Sequence, residues 1–446
     1  MNQITQVIKR NGAIVDFSPQ RISNAIYRAA VSVGGRDKAT ADALTTQVVT
    51  LLEATTPAGK ILTVEDVQDI VEKVLIENGH AKVAKEYILY REERARKRDR
   101  AADQSYRPSV NIPWAKIWHV LDWTVDQGLN TIAGLNERLA RGEIGEIIFQ
   151  SERAYNEEIK NAVQAIASRR EDLRMVIITG PSSSGKTTTT IKVGEKLKQL
   201  GMSLVTLNID NYFFDLDMHP KDEFGDYDFE TPQALDLPLI NEHLIQLFAG
   251  REVLIPFYDF KTGQRHEART AMKLNPGDVV LIDSLHGLYP AMTQGVPAEQ
   301  KFRLYLEPLL QLKDQNGEYV RWTDLRLIRR MLRDASHRAY DPRRTLEHWH
   351  YVRSSEMRHI IPYINTTDTI INTGLPYELP IYAARMLADF AAWVDEYRHD
   401  PLRADAFSRA ERVYKLLNQI TPVADESHIP ADSVLREFIG GSCYEY

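Results

Sequence analysis

Short apolar runs separated by amphipathic stretches dominate the chain from residue 175 onwards. The runs at 175–178, 203–209 and 278–283 are rich in β-branched residues, which is typical of strands buried on both faces of a sheet. A helix-forming stretch at 191–200 follows the first run. This alternation predicts an α/β fold in which a mostly parallel sheet is flanked by helices.

The N-terminal part of the chain has a different pattern, a hairpin followed by helices. Residues 4–10 and 13–17 flank Asn11-Gly12, a dipeptide suited to a tight type I′ turn. Thr63 and Asp66 can form a capping box at the start of a helix. Four helical segments are predicted after the hairpin, and they span about residues 19–33, 40–54, 63–78 and 80–98.

Three domains are predicted, as expected for a length of 446 residues. Trp114 and Trp118 stand one helical turn apart and are predicted to pack the middle domain onto a neighbour. The charged run at 92–100 mixes both signs at helical spacing, which favours an exposed helix end over an RNA-binding arm. The predicted domains are a small α+β domain at 1–95, a helical connector at 96–170 and an α/β domain with a C-terminal extension at 171–446.

Composition narrows the class of protein further. The formal net charge of −7 argues against a general nucleic-acid binder. The only cysteine is Cys443, so the chain has neither a disulfide framework nor a cysteine-based metal site. No apolar run reaches the length of a signal peptide or a membrane span. We therefore expect a cytoplasmic protein that does not associate with membranes.

The apolar run at 175–178 leads into a phosphate-binding loop with the spacing G-x4-G-K-T. Gly180 and Gly185 allow the backbone to wrap tightly and direct its N–H groups at an anion. The helix that follows adds the positive end of its dipole. Lys186 is expected to reach the β- and γ-phosphates of ATP, and the Thr187 hydroxyl to hold Mg²⁺. The residues predicted to bind ATP are Gly180, Ser182, Ser183, Ser184, Gly185, Lys186, Thr187 and Thr188.

Two aspartates follow predicted strands, where open α/β sheets place their ligands. Asp210 can accept the proton of an attacking hydroxyl while the γ-phosphoryl group transfers, although an aspartate after a strand is also a common turn residue. Asp283 ends a Walker-B-type strand and is expected to bind Mg²⁺ directly or through water. Both acids are predicted to belong to the site of phosphoryl transfer.

Four arginines recur on one face of a predicted helix. Arg326, Arg329, Arg330 and Arg333 have the spacing i, i+3, i+4 and i+7. Unpaired arginines in a row repel each other, and a bound polyphosphate would remove that conflict. We therefore predict a lid helix that closes over the phosphates and contributes these arginines to catalysis. The alternative is a basic patch for nucleic acid.

Together these motifs resemble the uridine kinase and phosphoribulokinase family of P-loop kinases. The resemblance extends from about Leu135 to the C-terminal stretch 436–442. The stretches that carry it are 180–188, 210–213, 227–236, 258–260, 279–287 and the arginine helix. It implies that Asp210 is the general base and that aromatic side chains surround a nucleoside. The residues implied for the substrate are Asp210, Tyr212, Glu230, Tyr258 and Phe260.

The chain departs from this family where the nucleoside is read. In the family an aspartate holds the ribose hydroxyls, and Glu230 takes its place here. The histidine that reads the pyrimidine base shortly after the tyrosine-aspartate-phenylalanine run is missing. Gly263 stands near its place, and Arg265 and His266 are close but shifted. The kinase chemistry therefore carries over better than the choice of base.

The N-terminal segment resembles the ATP-cone domain of ribonucleotide reductases and of a related transcriptional repressor. The resemblance covers about residues 3–95. The matching pieces lie at 7–12, 17, 21–22, 25–26 and 29, and the later segment from 64–67 through 87–91 also agrees. It implies a domain that binds an effector nucleotide, ATP or dATP. The residues expected near the effector phosphates are Lys9, Arg10 and Arg21, for which solvated surface charge is the alternative.

The leading hypothesis is an ATP- and Mg²⁺-dependent kinase that phosphorylates the 5′-hydroxyl of a nucleoside, uridine or cytidine above all. Regulation by a nucleotide bound to the N-terminal domain and assembly into a homo-oligomer are further expectations. Two alternatives stay open. One is a P-loop kinase of another sugar or small alcohol, and the other is a nucleotide-sensing regulator or RNA-associated factor without catalysis.

Overall fold

The structure is a computed structural model that describes residues 4–8, 14–35, 37–57, 61–88, 109–219, 230–337, 341–400 and 403–445. The described residues form two compact units. The first lies within residues 1–108 together with 399–404, and the second within 109–398 together with 405–446.

The first unit joins a small sheet to helices. Its strands are β1 (Gln6–Ile8), β2 (Ile14–Asp16) and β3 (Leu62–Thr63), and its helices are α1 (Pro19–Ser32), α2 (Lys38–Thr55) and α3 (Val64–Glu77). Strand β1 is central, antiparallel to β2 and parallel to β3. The predicted capping box of Thr63 and Asp66 is present at the start of α3. Buried side chains such as Ile26, Val48 and Val71 form the core between the helices.

Parts of the predicted N-terminal domain lie outside the described residues. These include the hairpin turn with Lys9 and Arg10. The fourth predicted helix is described over residues 81–88, which are helical. Arg21, the third residue predicted near an effector, is exposed on α1.

The second unit is built on a parallel sheet. Its strands are β4 (Met175–Thr179), β5 (Leu204–Thr206), β6 (Val253–Asp259), β7 (Gln264–Met272), β8 (Val279–Ser284), β9 (Lys301–Glu307) and β10 (Thr369–Asn372). Five of them form the sheet in the order β10-β9-β4-β8-β5, with every neighbouring pair parallel. Strands β6 and β7 form a separate antiparallel hairpin. The predicted α/β fold with a parallel sheet flanked by helices is confirmed.

Ten helices of this unit are described. They are α4 (Trp114–Asp126), α5 (Ile132–Ala140), α6 (Ile144–Ala167), α7 (Lys186–Gln199), α8 (Leu237–Phe248), α9 (Trp322–His337), α10 (Pro342–His359), α11 (Glu378–Tyr397), α12 (Ala404–Leu417) and α13 (Arg436–Ile439). Within the described ranges, none of the helices has both the length and the apolar character that crossing a bilayer requires.

Both faces of the central strand β4 are buried, as its unbroken apolar run predicts. Val176 and Ile178 pack in one core cluster with side chains of α6 and α7, whereas Met175 and Ile177 pack in another with side chains of α8. This alternation follows from the two-residue period of a strand. Helices therefore cover the sheet on both sides, and the carboxyl ends of its strands meet at one edge.

The helices predicted as a connector share the core of the sheet. Ile132 on α5 and Tyr155 on α6 belong to the same buried cluster as Val176. The predicted boundary at residue 170 therefore lies inside a continuous hydrophobic core. On α4, Trp114 and Trp118 are exposed, while Trp123 packs against that cluster.

Candidate active site

The phosphate loop connects β4 to α7 at the carboxyl edge of the sheet. A Cβ atom at Gly180 would lie 2.3 Å from the Leu306 carbonyl oxygen and 2.7 Å from Ser184 Oγ, so no larger residue fits there. Gly185 has a φ of 87°, a left-handed conformation that glycine adopts without strain. Ser183 also has a positive φ, of 59°. The loop therefore has the tight wrap that its two glycines predict.

Three consecutive carbonyl groups of the loop accept hydrogen bonds from side chains of other elements. Arg326 Nη1 donates to the Ser182 carbonyl oxygen at 3.0 Å, and Arg329 Nη1 to that of Ser183 at 3.4 Å. Thr373 Oγ1, which follows β10, donates to the Ser184 carbonyl oxygen at 2.6 Å. Because the C=O and N–H groups of a trans peptide point in opposite directions, these bonds direct the following N–H groups to the other side of the loop.

The prediction of a lid helix with four unpaired arginines is wrong for part of α9. Arg326 and Arg329 are fully buried and each has a carboxylate partner far along the chain. Glu356 on α10 accepts from Arg326 Nη2 at 2.8 Å, and Glu378 on α11 accepts from Arg329 Nε and Nη2 at 2.7 and 2.6 Å. The premise of unpaired arginines is therefore wrong for these two, and their burial excludes a swinging lid made of their side chains.

Arg330 and Arg333 are the two arginines of α9 that keep part of the side chain exposed, 23% and 20%. Arg330 Nη1 donates to Ser182 Oγ and to Glu230 Oε1, both at 2.8 Å. Glu230, the residue expected at the ribose, thus lies beside the phosphate loop. The catalytic roles of all four arginines remain predictions, and Arg330 and Arg333 are the better placed for contact with phosphate.

Lys186, Asp210 and Asp283 come together at the carboxyl edge of the sheet. Lys186 Nζ donates to the Gly180 and Pro181 carbonyl oxygens at 3.0 and 3.3 Å. Burial lowers the pKa of Lys186, although the charge of Asp283 opposes this shift. Burial also raises the pKa of Asp283 to about 6 against the opposing charge of Lys186, and Asp210 adds to the rise. Asp210 itself is exposed, in the short 3₁₀ helix Ile209–Tyr212 that follows β5.

The residues present fit a nucleotide and a magnesium ion. The hydroxyls of Ser183 and Ser184 are buried in the loop without a hydrogen-bond partner among the described residues, as expected of donors that await phosphate oxygens. In the described ranges, no three His, Cys, Asp or Glu side chains form a metal-binding group. Asp283 and Thr187, the two residues predicted to hold Mg²⁺, have the oxygen atoms that this ion prefers, and water and phosphate oxygens would complete its environment.

An aromatic cluster lies between the β6–β7 hairpin and the 3₁₀ helix after β5. The Tyr258 ring is buried, with its centroid 5.4 Å from that of Phe213 and 4.9 Å from that of Phe260. Phe260 is 62% exposed. His219 stacks on Tyr258 at a centroid distance of 6.2 Å. The sequence analysis did not predict Phe213 or His219 as site residues. They join the cluster through contacts with Tyr258, which lies about 40 residues further along the chain and reaches them only in the folded hairpin.

Tyr212 does not belong to this cluster, which corrects its expected role as a substrate residue. Its side chain is fully buried, and its hydroxyl shares a hydrogen bond of 2.9 Å with His243 Nδ1 on α8. Burial raises the pKa of this tyrosine. A 3₁₀ helix has three residues per turn, so Ile209 and Tyr212 share its buried face while Asp210 stays exposed. Residues 227–229, part of the stretch 227–236 that carries the family resemblance, lie outside the described residues.

A parallel sheet, a phosphate loop and two acids at adjacent strand ends define the class of P-loop phosphotransferases. A model of the Phosphoribulokinase / Uridine kinase family matches residues 175–378, and a model of the ATP cone domain matches residues 5–96. The chain belongs to the Phosphoribulokinase / Uridine kinase family and carries an N-terminal ATP cone domain. It is therefore a phosphotransferase.

Curated relatives agree with this assignment. A uridine kinase of Deinococcus deserti is 31% identical over 198 residues, which are 44% of this chain and 86% of that protein. A uridine kinase of Bacillus pumilus is 31% identical over 44% of this chain and 85% of its own length. A solved structure described as a possible uridine kinase from Bacillus stearothermophilus has 16% identity and a TM-score of 0.33, and the match covers 48% of this chain and 98% of that one.

Proposed function

We propose that this protein transfers the γ-phosphoryl group of ATP to the 5′-hydroxyl of a nucleoside, with uridine and cytidine as the first candidates. One observation carries the proposal. Lys186 begins the loop helix α7, Asp283 lies near the end of the neighbouring strand β8, and Asp210 follows β5, which pairs with β8. The charges of Lys186 and Asp210 both act on the pKa of Asp283. The relatives named uridine kinases support the choice of acceptor class.

The chemistry that we assign to these residues is an in-line displacement. The acceptor oxygen forms a bond to the γ-phosphorus, the bond from that phosphorus to the β,γ-bridging oxygen breaks, and ADP leaves. Asp210, at the exposed end of β5, takes the hydroxyl proton as the bond forms. Lys186 and the loop N–H groups hold the phosphates in line. Bound Mg²⁺ would neutralise charge on the phosphate oxygens.

The aromatic cluster is our candidate for the nucleoside pocket. The exposed ring of Phe260, which contacts the buried ring of Tyr258 edge to face, offers flat apolar surface of the kind that stacks on a planar base. Glu230 is proposed to accept from the ribose hydroxyls, which requires it to exchange part of its ion pair with Arg330. Its side chain is 17% exposed, so a sugar can reach it.

One observation favours a second class of acceptor, another sugar or a small alcohol. Gly263 has a φ of 69°, and a Cβ atom there would lie 2.8 Å from Leu216 Cβ. The glycine N–H also donates to the Asp259 carbonyl oxygen at 2.8 Å, which closes a tight turn. No side chain at this position can read a base, so contacts that select the base must come from elsewhere or are absent.

The experiment that separates these acceptors is a coupled assay of ADP release with ATP and Mg²⁺. Uridine, cytidine, the purine nucleosides, ribose and ribulose 5-phosphate are compared at equal concentrations. We expect stimulation by uridine or cytidine above all. An equal, background rate with every nucleoside, in a protein that binds ATP, would contradict the proposed acceptor, and stimulation by a sugar alone would establish the second class.

The N-terminal unit is proposed to bind ATP or dATP as an effector. We expect that a variant lacking residues 1–95 keeps the basal kinase activity, because the sheet and its helices have a core of their own. The truncated protein should lose any change of kcat or KM that dATP causes in the full chain. The measurement is ADP release at fixed ATP and acceptor over a dATP titration. An identical dATP response in both proteins would contradict the regulatory role.

A further inference from the structure

The C-terminal segment, defined here as residues 432–439, packs directly on the phosphate loop. Val434, Leu435 and Phe438 are fully buried in the core of the kinase unit. A Cβ atom at Gly185 would lie 2.4 Å from Val434 Cγ2, so the second loop glycine also permits this close approach. The segment is thus part of the wall around the loop.

Glu437 of this segment occupies the N-terminus of the loop helix α7. Its Oε2 atom accepts from the backbone N–H of Thr188 at 3.1 Å and from the Thr188 hydroxyl at 2.8 Å. Thr188 is the third residue of α7, and N–H groups in the first turn of a helix have no acceptor within the helix. These groups bind anions, and Thr188 is among the residues expected to bind ATP phosphates.

The groups around the Glu437 carboxylate are ones that would also suit a phosphate. Its Oε1 atom lies 4.0 Å from Arg333 Nη1. Its charge opposes the lowering of the pKa of Lys186 that burial causes, and it contributes to the raised pKa of Asp283. Only 4% of the Glu437 side chain is exposed, so water competes little for these contacts. A carboxylate and a nucleotide phosphate cannot accept from the same Thr188 donors at once.

We propose that Glu437 is an internal competitor for the nucleotide, whose carboxylate satisfies the N-terminus of α7 until a phosphate of the nucleotide displaces it. Because Val434, Leu435 and Phe438 anchor the backbone, displacement is a side-chain rotation. Arg333 is the nearest cation that can receive the carboxylate after it leaves Thr188. The inference rests on ATP binding at the phosphate loop, and it does not depend on the proposed acceptor.

The proposal is tested by equilibrium binding of ADP and of ATP with Mg²⁺ to the full chain, without acceptor, by titration calorimetry. Glu437→Gln keeps the shape of the side chain but replaces a charge-assisted hydrogen bond by a weaker neutral one. We expect its Kd for ADP to fall roughly threefold to tenfold, because the hydrogen bonds from Thr188 that the nucleotide must replace are weaker in this variant. An unchanged or higher Kd would overturn the proposal.

Asp432→Asn is the matched control. Asp432 lies in the same segment and pairs with Lys192 of α7 at 2.8 Å. The variant therefore also removes one negative charge, but at a position that does not contact the Thr188 donors. It should leave the Kd for ADP close to the wild-type value. An equal gain of affinity in both variants would overturn the specific role of Glu437. Absence of nucleotide binding in all three proteins would overturn the proposed kinase function together with this inference.

Thermal unfolding separates competition from a purely structural cap. If Glu437 competes with the nucleotide, Glu437→Gln lowers Tm without ligand, and saturating ADP raises Tm by more than it does in the wild type. If Tm falls equally with and without ADP, the residue is only a helix cap and the proposal is wrong. Should the glutamine variant not fold, Glu437→Asp replaces it. It is one methylene shorter and still charged, and it must also bind ADP more tightly than the wild type.

Discussion

Replacing Asp210 by asparagine is expected to lower kcat by roughly 100-fold or more, the range that a general base usually contributes. Asparagine has nearly the same shape but cannot accept the proton of the acceptor hydroxyl. The Kd for ATP should stay nearly unchanged, since the residues proposed to bind the nucleotide are the phosphate loop and Lys186, and Asp210 is proposed to act on the acceptor. The measurement combines ADP release under saturating ATP and acceptor with calorimetric titration of ATP.

Asp217→Asn is the control for this substitution. Asp217 is exposed in the short 3₁₀ helix Leu216–Met218, close in sequence to Asp210, and the change of charge is the same. Its kcat should match the wild type. A kcat for Asp210→Asn above roughly a tenth of the wild-type value would mean that the general base is another residue. A large increase in the Kd for ATP would show that Asp210 acts on the nucleotide rather than on the acceptor.

Replacing Arg329 by methionine is expected to lower the free energy of unfolding by about 3–5 kcal/mol, the usual cost of removing one partner from a buried ion pair. Glu378 would keep its buried negative charge without the two hydrogen bonds from the guanidinium. The support behind the Ser183 carbonyl group would be lost as well. Urea denaturation followed by tryptophan fluorescence measures the difference.

Two further variants decide whether a buried charge is the cause. Arg343→Met removes an arginine from an exposed ion pair with Asp341 at the start of α10, and its cost should not exceed about 1 kcal/mol. Arg329→Met combined with Glu378→Met removes both buried charges and should regain part of the lost stability. If the free energy of unfolding of Arg329→Met is within about 1 kcal/mol of the wild-type value, the buried ion pair does not stabilise the fold as we expect.

Local motifs could be predicted from the sequence because their chemistry lies within a few residues. Gly180 and Gly185 enclose a loop whose wrap follows from backbone sterics, and the β-branched apolar run before it is typical of a buried strand. The capping box of Thr63 and Asp66 is likewise a contact over three residues. Such signals do not depend on which other element lies nearby.

The partners of the arginines on α9 could not be predicted from the sequence. The spacing establishes that Arg326 and Arg329 share one face, but spacing contains no information about what that face meets. Their partners, Glu356 and Glu378, stand 30 and 49 residues further along the chain. A face of unpaired arginines in the sequence is a buried ion-pair network in the fold. This network contacts the phosphate loop, because Arg326 and Arg329 donate hydrogen bonds to the carbonyl oxygens of Ser182 and Ser183.

By itself, the sequence determined the class of protein: a phosphate loop after a buried strand, acids at later strand ends, and an N-terminal domain with its own pattern. The tertiary structure alone decided which side chains reach that loop. It buries Tyr212, joins Phe213 and His219 to Tyr258, and brings Glu437 to Thr188 from 249 residues away. The physical reason is range, because backbone sterics act between neighbours in the chain, whereas burial and ion pairing act between neighbours in space.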